Sequence, residues 1–456
     1  MNATLNRDIL KLALPSILAN VTIPFVGMVG TAIAGHLPQE GGIGAATFIG
    51  AISVGAMLFN LLYWNFGFLR AGTGGLTAQA FGRGDMRECA RLLYRAGSLA
   101  LIIAGATLLL QLPFVKLALF LVKASPEVEG LALKYFLVRV WAAPATISLM
   151  AFSGWFVGMQ DSMSSMWKDL IVNLVNVGAG YVLSIGACGF KGLGFIGLPL
   201  GTVIAQYCGL VFCILVCIFK YRRKVFGTFR SSDFRSVLER KDIGAFFKLN
   251  ADLFVRSLCM TGIYIGYTMI AAQFGDLMLA CSSIMMQLLM LFSYFTDGFA
   301  YAGEALAGRF IGARDGVMLK KTVRYIFVWS MSIAVFFMAV YSVSGRPLLR
   351  LLTSDASVVE NCRQFLPWLV LMPPLGCAAF TWDGIYLGAT ASKAVRNAML
   401  GATSLFLIQW FASKYIIQPT GGLAIHCLIA AYFTHLIFRT VYLSAKYRGS
   451  VKITEE

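Results

Sequence analysis

GLTAQAFGRGD, at residues 75–85, recurs as ALAGRFIGARD at residues 305–315, and this recurrence decides how the chain is organised. In both segments a glycine and an aspartate hold equivalent places. The offset of 230 residues is shared by four pairs: Gly82 with Gly312, Asp85 with Asp315, Pro144 with Pro374, and Gly158 with Gly388. Several matches at one offset predict a chain built from two related halves.

The composition is that of a membrane protein. Of 456 residues, 58% are hydrophobic and 13% are charged, with a mean hydropathy of +0.75. The charged fraction is about half that of a soluble domain, so the chain could not cover an apolar core in water. The first apolar segment follows the polar MNATLNRD and is long enough to span, so we expect helix 1 itself to target the chain. Twelve apolar segments meet the span length of roughly 20 residues: 9–35, 43–81, 96–123, 131–159, 166–188, 192–219, 244–273, 276–308, 322–345, 363–389, 395–418 and 421–445.

The net charge of +17 is interpreted as an orientation signal rather than as a nucleic-acid footprint. Twelve spans put both termini on one side. Of the 38 Lys and Arg, roughly 27 fall on the side of the termini and about nine on the other. The positive-inside rule then predicts cytoplasmic termini in a multi-pass protein of the inner, cytoplasmic membrane.

The longest polar segment divides the twelve spans six and six. We expect a six-helix lobe over 1–219, a basic cytoplasmic linker over 220–243 that lies on anionic lipid, and a second lobe over 244–456. Six spans per half give the halves one orientation, as in parallel-repeat transporters, whose substrate site lies between the lobes. The predicted fold class is an all-α polytopic membrane protein with two pseudo-symmetric lobes around a central cleft.

Acidic residues within the spans are confined to the second half. They are Asp252, Asp297, Glu304 and Asp383. Two of them lie in LFSYFTDGFAYAGEAL at 291–306, where helical spacing puts Tyr294 and Tyr301 on the same face as both acids. Asp252, Asp297 and Asp383 are expected at depths of roughly 10–16 Å from the cytoplasmic ends, and could therefore meet in one layer.

Two interpretations of these acids stay open. Buried carboxylates are costly in lipid and should face the bundle interior, where they could carry a coupling H⁺ or Na⁺. Arg256 follows Asp252 by four residues, so a structural salt bridge between these two is the alternative for that pair.

The first half offers neutral polar and aromatic side chains instead of acids. Its candidates for a substrate cleft are Asn173, Asn176, Tyr181, Trp64 and Arg70. Such a lining suits amphipathic or aromatic small molecules. Pro15 lies inside span 1 and is expected to kink that helix.

Enzyme and metal chemistry find no support in the sequence. There is no HExxH, no Gly-x-Ser-x-Gly and no ordered Ser/His/Asp set. Cys213 and Cys217 share a helix face but lack His or carboxylate partners nearby, as inert buried cysteines do. We expect no cofactor beyond a coupling ion.

Long ordered segments resemble the multidrug and toxic compound extrusion (MATE) transporters, and most closely their DNA-damage-inducible (DinF) branch. The resemblance spreads over all twelve spans. It is carried by LALPSILANVTIPFVGMVGTAIAGHL at 12–37, FGFLRAGTGGLTAQAFGRGD at 66–85, GWFVGMQDS at 154–162, KLNADLFVRSL at 248–258, TDGFAYAGEALAGRFIGARD at 296–315 and WDGIYLGATAS at 382–392.

The resemblance implies two six-helix lobes that alternate between inward-open and outward-open states and export cationic or amphipathic compounds in exchange for H⁺ or Na⁺. It assigns Asp252 and Asp383 to the family's acid positions, and Asp297, Tyr301 and Glu304 to its helix-8 motif. DinF-type members read VDTAIVGHL in helix 1, whereas this chain reads VGTAIAGHL, with Gly30 at the acid. The partner acid on helix 5 is replaced by Gly180, so coupling through the first lobe is not carried over.

Three functions are weighed. The leading prediction is a secondary active exporter, a monomer in the lipid bilayer that binds an amphipathic small molecule and no nucleic acid. A lipid-linked oligosaccharide flippase of the same superfamily would need a strongly cationic cleft, whereas Arg70, Arg139 and Arg256 are the only bases near it and four acids oppose them. A transport-deficient scaffold is the third, because the helix-1 acid is missing.

Overall fold

The structure, a computed structural model, describes residues 3–38, 44–122, 125–186, 189, 191–228, 240–353 and 355–451. Within these ranges it is helical and contains no strand. Twelve helical spans are long and apolar enough to cross a membrane. They are α1 Ala3–Gly35, α2 Thr47–Gly82, α3 Met86–Leu109, α4 Pro126–Gly158, α5 Ser162–Gly186, α6 Gly194–Tyr221, α7 Ile243–Ala272, α8 Asp276–Gly312, α9 Gly316–Leu352, α10 Ala356–Gly388, α11 Ser392–Ile417 and α12 Gly421–Ser450.

These spans match the twelve predicted segments one for one, with one correction. The third segment was expected over 96–123, but α3 begins at Met86 and ends at Leu109, and a separate helix, Gln111–Val122, follows. The apolar run continues through Leu110, so hydropathy alone does not mark the break. Residues 229–239 of the predicted linker lie outside the described residues.

The chain forms two compact units. One comprises Met1–Ile17, Gly74–Gly84 and Phe246–Glu456, and the other comprises Leu18–Thr73 and Asp85–Ala245. The division therefore passes through α1, two residues after Pro15, and through α2. The predicted lobe boundaries at 219 and 244 stay a prediction.

Each unit has an aromatic and aliphatic core of its own. In the larger unit, Phe292 is fully buried and packs edge-on against Phe337 with ring centroids 5.6 Å apart. In the other, Phe59 stacks on Phe136 at 4.9 Å. Buried apolar contacts of this kind position the helices that carry the polar residues described below.

Turns at the helix ends confirm the internal repeat. Asp85 caps α3 by accepting a hydrogen bond from the Glu88 amide at 2.9 Å, and Asp315 caps α9 from the Met318 amide at the same distance. The residue before each cap has a positive φ, 75° at Gly84 and 58° at Arg314. Glycine adopts this conformation without strain, whereas arginine pays a steric cost there.

Close helix crossings repeat at the same offset. A Cβ on Gly154 would overlap the carbonyl oxygen of Arg70, and a Cβ on Gly384 would overlap that of Ala300. The two crossings are 230 residues apart in both partners. Only glycine lets these backbones approach so closely, as is common between membrane helices.

The ends of α2 and α8 form a reciprocal pair of such glycine contacts. A Cβ on Gly82 would overlap the carbonyl oxygen of Arg309, and a Cβ on Gly312 would overlap that of Gln79. Because Gln79 and Arg309 are themselves 230 residues apart, each contact is the copy of the other. The stretch that revealed the repeat in the sequence is thus the place where the two copies of the motif pack together.

Candidate functional site

Inside the larger unit, the side chain of Asp383 accepts hydrogen bonds from two arginines. Arg256 on α7 and Arg439 on α12 each donate from Nη2 to the same oxygen, Oδ2, at 2.6 Å. All three lie within spans, and the Arg439 side chain is only 2% exposed. The Arg439 guanidinium also lies 5.8 Å from the centre of the Phe380 ring, within cation–π range.

This cluster is not fully satisfied by protein groups. Among the described residues, no hydrogen-bond partner is found for the buried Oδ1 of Asp383 or for the buried Nε of Arg256. One carboxylate against two guanidinium groups also leaves the trio with an excess positive charge. Buried groups of this kind are expensive in a membrane and mark functional positions.

A second ion pair holds Asp252, which is 5% exposed on α7. Arg396 on α11 donates from Nη1 to Oδ1 at 2.5 Å, and Ser392 donates to Oδ2 at 2.8 Å. The predicted alternative of an Asp252–Arg256 salt bridge is wrong, because Arg256 turns to Asp383 instead. A spacing of four residues puts two side chains on one helix face, but the neighbouring helices decide which partner each one meets.

The two acids of α8 differ in exposure. Glu304 is fully buried, whereas Asp297 is half-buried and accepts a long hydrogen bond of 3.4 Å from Ser293. Tyr294 and Tyr301, on the same helix, are half-buried. The expectation that the carboxylates share one layer stays a prediction.

What the structure does place together is the backbone of α8 and α10. The crossing at Gly384 lies next to Asp383, and a Cβ on Gly388 would overlap the carbonyl oxygen of Glu304. The helix that carries Asp383 and the helix that carries Asp297 and Glu304 are therefore in backbone contact. A change of charge on α10 therefore alters the electrostatic surroundings of α8, and the reverse.

The candidates in the first half divide into bonded and exposed side chains. Asn173 donates to Thr22 at 2.7 Å, which ties α5 to α1, and Asn176 accepts from Thr202 of α6 at 3.1 Å. Tyr181 and Trp64 are 48% and 44% exposed. Arg70 is half-buried.

Glycines, Gly30 and Gly180, occupy the two positions at which the DinF pattern has acids. A Cβ on Gly30 would meet no atom within 4 Å, and one on Gly180 would meet only Leu198 at 3.8 Å. The fold thus has room for a side chain at Gly30. Pro15 lies within α1, whose helix continues without interruption to Gly35; its role as a kink stays a prediction.

Sequence reasoning missed Arg396, Arg439 and Ser392. Arg439 carried a usable signal, since an arginine inside an apolar span is itself a candidate functional residue. Arg396 and Ser392 carried none, because they lie at a helix end where polar residues are ordinary.

Asp161, in the turn before α5, was also missed. Its Oδ2 accepts hydrogen bonds from Ser164 at 2.6 Å, from Lys220 at 2.7 Å and from Tyr221 at 2.7 Å. Burial would raise the pKa of Asp161, but the hydrogen bonds from Lys220, Ser164 and Tyr221 outweigh it and hold the pKa below its usual value. The end of α6 is thereby anchored to the start of α5.

Within the described part of the chain no cluster of His, Cys, Asp and Glu is suited to hold a metal ion. The polar centre of the larger unit is instead built from carboxylates and guanidinium groups. Its composition is that of a buried group of paired and balanced charges.

The comparison with known families decides the assignment. The MatE family model matches residues 15–182 and 253–412, one match in each half of the chain. The chain belongs to the MatE family. It is therefore a multi-pass membrane transporter, and the resemblance stated from the sequence is confirmed.

Individual relatives agree with this membership. The MatE chain is 31% identical to the DNA damage-inducible protein F of Escherichia coli (strain K12) over 448 residues, covering 97% of this chain and 92% of that one. It is 21% identical to a probable multidrug resistance protein NorM of Photorhabdus laumondii, covering 98% and 96%. The first of these supports the DinF branch.

Solved structures show the same fold. A crystal structure of MATE in the bent conformation superimposes with a TM-score of 0.82 at 15% identity, covering 98% of this chain and 97% of that one. The eukaryotic MATE transporter AtDTX14 gives 0.81 at 14% identity, covering 98% and 96%. The all-α, two-lobe fold class predicted from the sequence is confirmed.

Proposed function

We propose that this MatE protein is a secondary active exporter of amphipathic or cationic small molecules, driven by an inward gradient of H⁺ or Na⁺. The observation that carries the proposal is the buried carboxylate–arginine cluster of Asp383, Arg256 and Arg439, three ionisable groups from three spans. A membrane protein keeps such a costly cluster where charge has to be moved or balanced. The name of the NorM relative, a probable multidrug resistance protein, supports the substrate class.

The arginine partners suggest a division of labour among the four acids. A cation that approaches Asp383 or Asp252 meets guanidinium groups already in contact with the carboxylate. Like charges disfavour a second cation there. We assign binding of the coupling ion to the α8 pair, Asp297 and Glu304, with Tyr294 and Tyr301 on the same helix, because the backbone of α8 contacts α10 at Gly384 and Gly388, next to Asp383. Asp383 and Asp252 would act as the negative charges that keep the arginines from repelling that ion.

The number of ligands favours H⁺ over Na⁺. A sodium ion needs several oxygen ligands at once, whereas a proton needs one carboxylate oxygen. Either ion adds one positive charge to a region that contains Arg256, Arg396 and Arg439, so the charge itself does not distinguish them. No resident cofactor is required, since the ion is consumed as a driving force and not held as a prosthetic group.

Substrate binding is assigned to the exposed aromatic residues of the first half, Tyr181 and Trp64, together with the half-buried Arg70. Asn173 and Asn176 would position α5 through Thr22 and Thr202. The basic bias of the loops supports cytoplasmic termini. An inner-membrane location and export as the direction of transport belong to the same proposal. We take the monomer as the transporting unit.

Alternating access would then follow from differential affinity. Protonation of α8 and substrate binding each favour a different state, so entry of one drives release of the other. Pro15, two residues before the boundary between the compact units in α1, is the position at which we expect that helix to bend.

A flippase of lipid-linked oligosaccharides is less well supported. Its pyrophosphate cargo would need available cationic groups. Arg256 is engaged by Asp383, and Arg139 donates to the Tyr135 hydroxyl at 3.0 Å while lying 4.5 Å from the centre of the Phe59 ring. These contacts engage two of the three bases that the sequence places near the cleft, and Arg70 by itself is not the strongly cationic surface that a diphosphate would need.

The test is efflux of ethidium from proteoliposomes under a proton gradient alone and under a sodium gradient alone. We expect the proton gradient to drive efflux in the wild type, and Glu304→Gln and Asp383→Asn to abolish it. Thermal unfolding in detergent checks that both variants fold. Efflux at the wild-type rate from both variants would overturn the ion assignment. Absence of gradient-driven efflux from the wild type would favour the transport-deficient scaffold.

A further inference from the structure

Two cysteines that the transport cycle does not use meet inside the larger unit. Cys281 lies on α8, in the second turn after its start at Asp276, and Cys362 lies on α10, in the second turn after its start at Ala356. Both are fully buried, and both are reduced in this structure. They are 81 positions apart in the sequence, so only the fold brings them together.

Cys281 contacts the helical turn of α10 that contains Cys362. The Cys281 thiol lies 3.7 Å from the carbonyl oxygen of Val358, to which it can donate a hydrogen bond. Val358 precedes Cys362 by one helical turn, so both occupy the same face of α10. Cys281 Sγ therefore lies beside the turn of α10 that ends at Cys362.

Other buried cysteines lack this arrangement. Cys377 lies beside a residue of its own helix, with its Sγ 3.9 Å from the Thr381 hydroxyl, which donates to the Cys377 carbonyl oxygen at 2.8 Å. Cys213 and Cys217 are one turn apart on α6, so a bond between them would join nothing that the helix does not already hold. Only the Cys281–Cys362 contact, among those the structure describes, would join two separate spans.

The pair lies at one end of its helices. Cys281 follows the connection at 272–276 and Cys362 follows the one at 352–356, whereas Gly312 and Gly388 mark the opposite ends. In the orientation given under the proposed function, these opposite ends are cytoplasmic. The cysteines would then lie near the outer surface, where disulfides form and persist.

We propose that Cys281 and Cys362 form a disulfide that links α8 to α10 on the outer side of the membrane. The oxidant is a disulfide-bearing thiol oxidoreductase of that compartment, acting while the chain inserts. One thiolate attacks the oxidant disulfide to give a mixed disulfide, and the second thiolate then displaces the oxidant. The two thiols lose two electrons and two protons, and the oxidant is released as a dithiol.

This bond would restrain the two helices that hold the charged groups. α8 carries Asp297 and Glu304, and α10 carries Asp383. A bond that closes a loop of about 80 residues constrains the unfolded chain strongly and also limits how far the outer ends of α8 and α10 can separate. The inference adds to the proposed function a link between the redox state of the outer compartment and the rigidity of the ion-binding region.

The experiment is differential alkylation of the full-length protein in intact cells. Cells are quenched in acid, free thiols are blocked with N-ethylmaleimide under denaturing conditions, the sample is reduced, and an isotopically heavy N-ethylmaleimide marks the thiols that were oxidised. We expect the heavy label on Cys281 and Cys362 and the light label on Cys377. Cys362→Ser should move Cys281 to the light label, while Cys377→Ser should change nothing at the pair.

A second measurement uses the purified protein. Reduction with dithiothreitol should lower Tm by roughly 5 °C in the wild type and leave Tm of Cys281→Ser unchanged. Light label on both cysteines from cells overturns the proposal, whether or not diamide later joins them in the purified protein. If diamide also fails to oxidise the pair in the purified protein, the two thiols lie too far apart to form the bond.

Orientation is tested separately, because the inference rests on it. Gln273→Cys places an exposed thiol beside the start of α8, in a background with Cys281 and Cys362 changed to serine. Reaction with a membrane-impermeant maleimide added outside is the expected result. Reaction only after the membrane is opened would overturn both the orientation and the disulfide, whereas loss of ethidium efflux alone would touch only the proposed function.

Discussion

Arg439 donates a hydrogen bond to Asp383 across 2.6 Å, from a side chain that is almost completely buried. Arg256 donates to the same carboxylate oxygen at the same distance. Asp383 therefore balances two arginines with one negative charge, and its loss would leave two guanidinium groups without their carboxylate within the spans. This relationship governs the first prediction.

Arg439→Met is expected to lower the free energy of unfolding by about 2 kcal/mol, because the buried carboxylate of Asp383 loses one of its two charge-assisted hydrogen bonds and keeps only Arg256 as an ion-pair partner. The measurement is chemical unfolding in detergent. Arg396→Met is the matched control: its side chain is 32% exposed, so water can take its place at Asp252 and the loss should be smaller. A double-mutant cycle with Asp383→Asn should give a coupling of at least ~1 kcal/mol. Additive effects would contradict a direct interaction.

The glycine crossing at the ends of α2 and α8 gives a second prediction. Gly82→Ala and Gly312→Ala should each destabilise the protein by ~1–3 kcal/mol, because each new Cβ overlaps a backbone carbonyl that cannot move aside easily. The two losses should agree within error, since the contacts are copies of each other.

Gly97→Ala provides the control for this pair. Gly97 is also helical, but a Cβ there would meet no atom within 4 Å. The replacement should stabilise the helix by roughly 0.5–1 kcal/mol. Tm of the three variants in one detergent decides the matter. A tolerated alanine at Gly82 together with a damaging one at Gly312 would argue against the reciprocal contact.

The anchor at Asp161 predicts a pH-dependent contribution to stability. Asp161→Asn removes the charge that accepts hydrogen bonds from Lys220 and Tyr221, and should cost about 2 kcal/mol at pH 7. Lys220→Met should cost less, about 0–1 kcal/mol, because the lysine is half exposed.

The sign of the pH effect follows from the lowered pKa of Asp161. A carboxylate whose folded pKa lies below its unfolded value contributes stability that is complete above the unfolded pKa, about 3.9, and is lost as pH falls through the folded one. The Tm difference between wild type and Asp161→Asn should therefore stay constant from about pH 8 to 5 and shrink below about pH 4. A difference that persists unchanged at pH 3 would contradict the assigned cause.

In the first half, we expect Tyr181 to contribute to substrate binding and Asn173 to contribute to the positioning of α5. Tyr181→Ala should raise the KM for ethidium efflux several-fold while leaving Tm unchanged, because the ring is 48% exposed and has little packing to lose. Asn173→Ala should instead lower Tm, because its amide holds Thr22 at 2.7 Å. Efflux kinetics and thermal unfolding of both variants test this contrast. An unchanged KM in Tyr181→Ala would remove it from the substrate site.

Sequence patterns predicted the spans and the repeat well, because both depend on local chemistry. Apolar length marks a span wherever it occurs, and the motif ending at Asp85 and Asp315 forms the same capped turn in both halves. The break after Leu109 was missed because the helix ends inside an apolar run, where no polar residue signals it.

Partner choice among the charged residues could not be predicted in the same way. Arg256 lies 127 positions from Asp383 and Arg396 lies 144 from Asp252, so neither pairing leaves a local pattern. Helical spacing suggested Asp252 with Arg256, but the long arginine side chain extends to a neighbouring span. Which span is the neighbour depends on packing between helices, and glycine contacts such as Gly384 with Ala300 set that packing.

Because the glycine crossings are paired, the two halves of the chain should tolerate or reject substitutions at equivalent positions. Gly82 and Gly312 sit against each other's helices, and Gly154 and Gly384 occupy matching crossings, one in each compact unit. A saturation mutagenesis scan should therefore show forbidden positions that recur at a constant interval. The positions at which one half rejects substitution would predict those of the other half. The two halves can therefore diverge widely in sequence while their essential glycines stay at a constant offset.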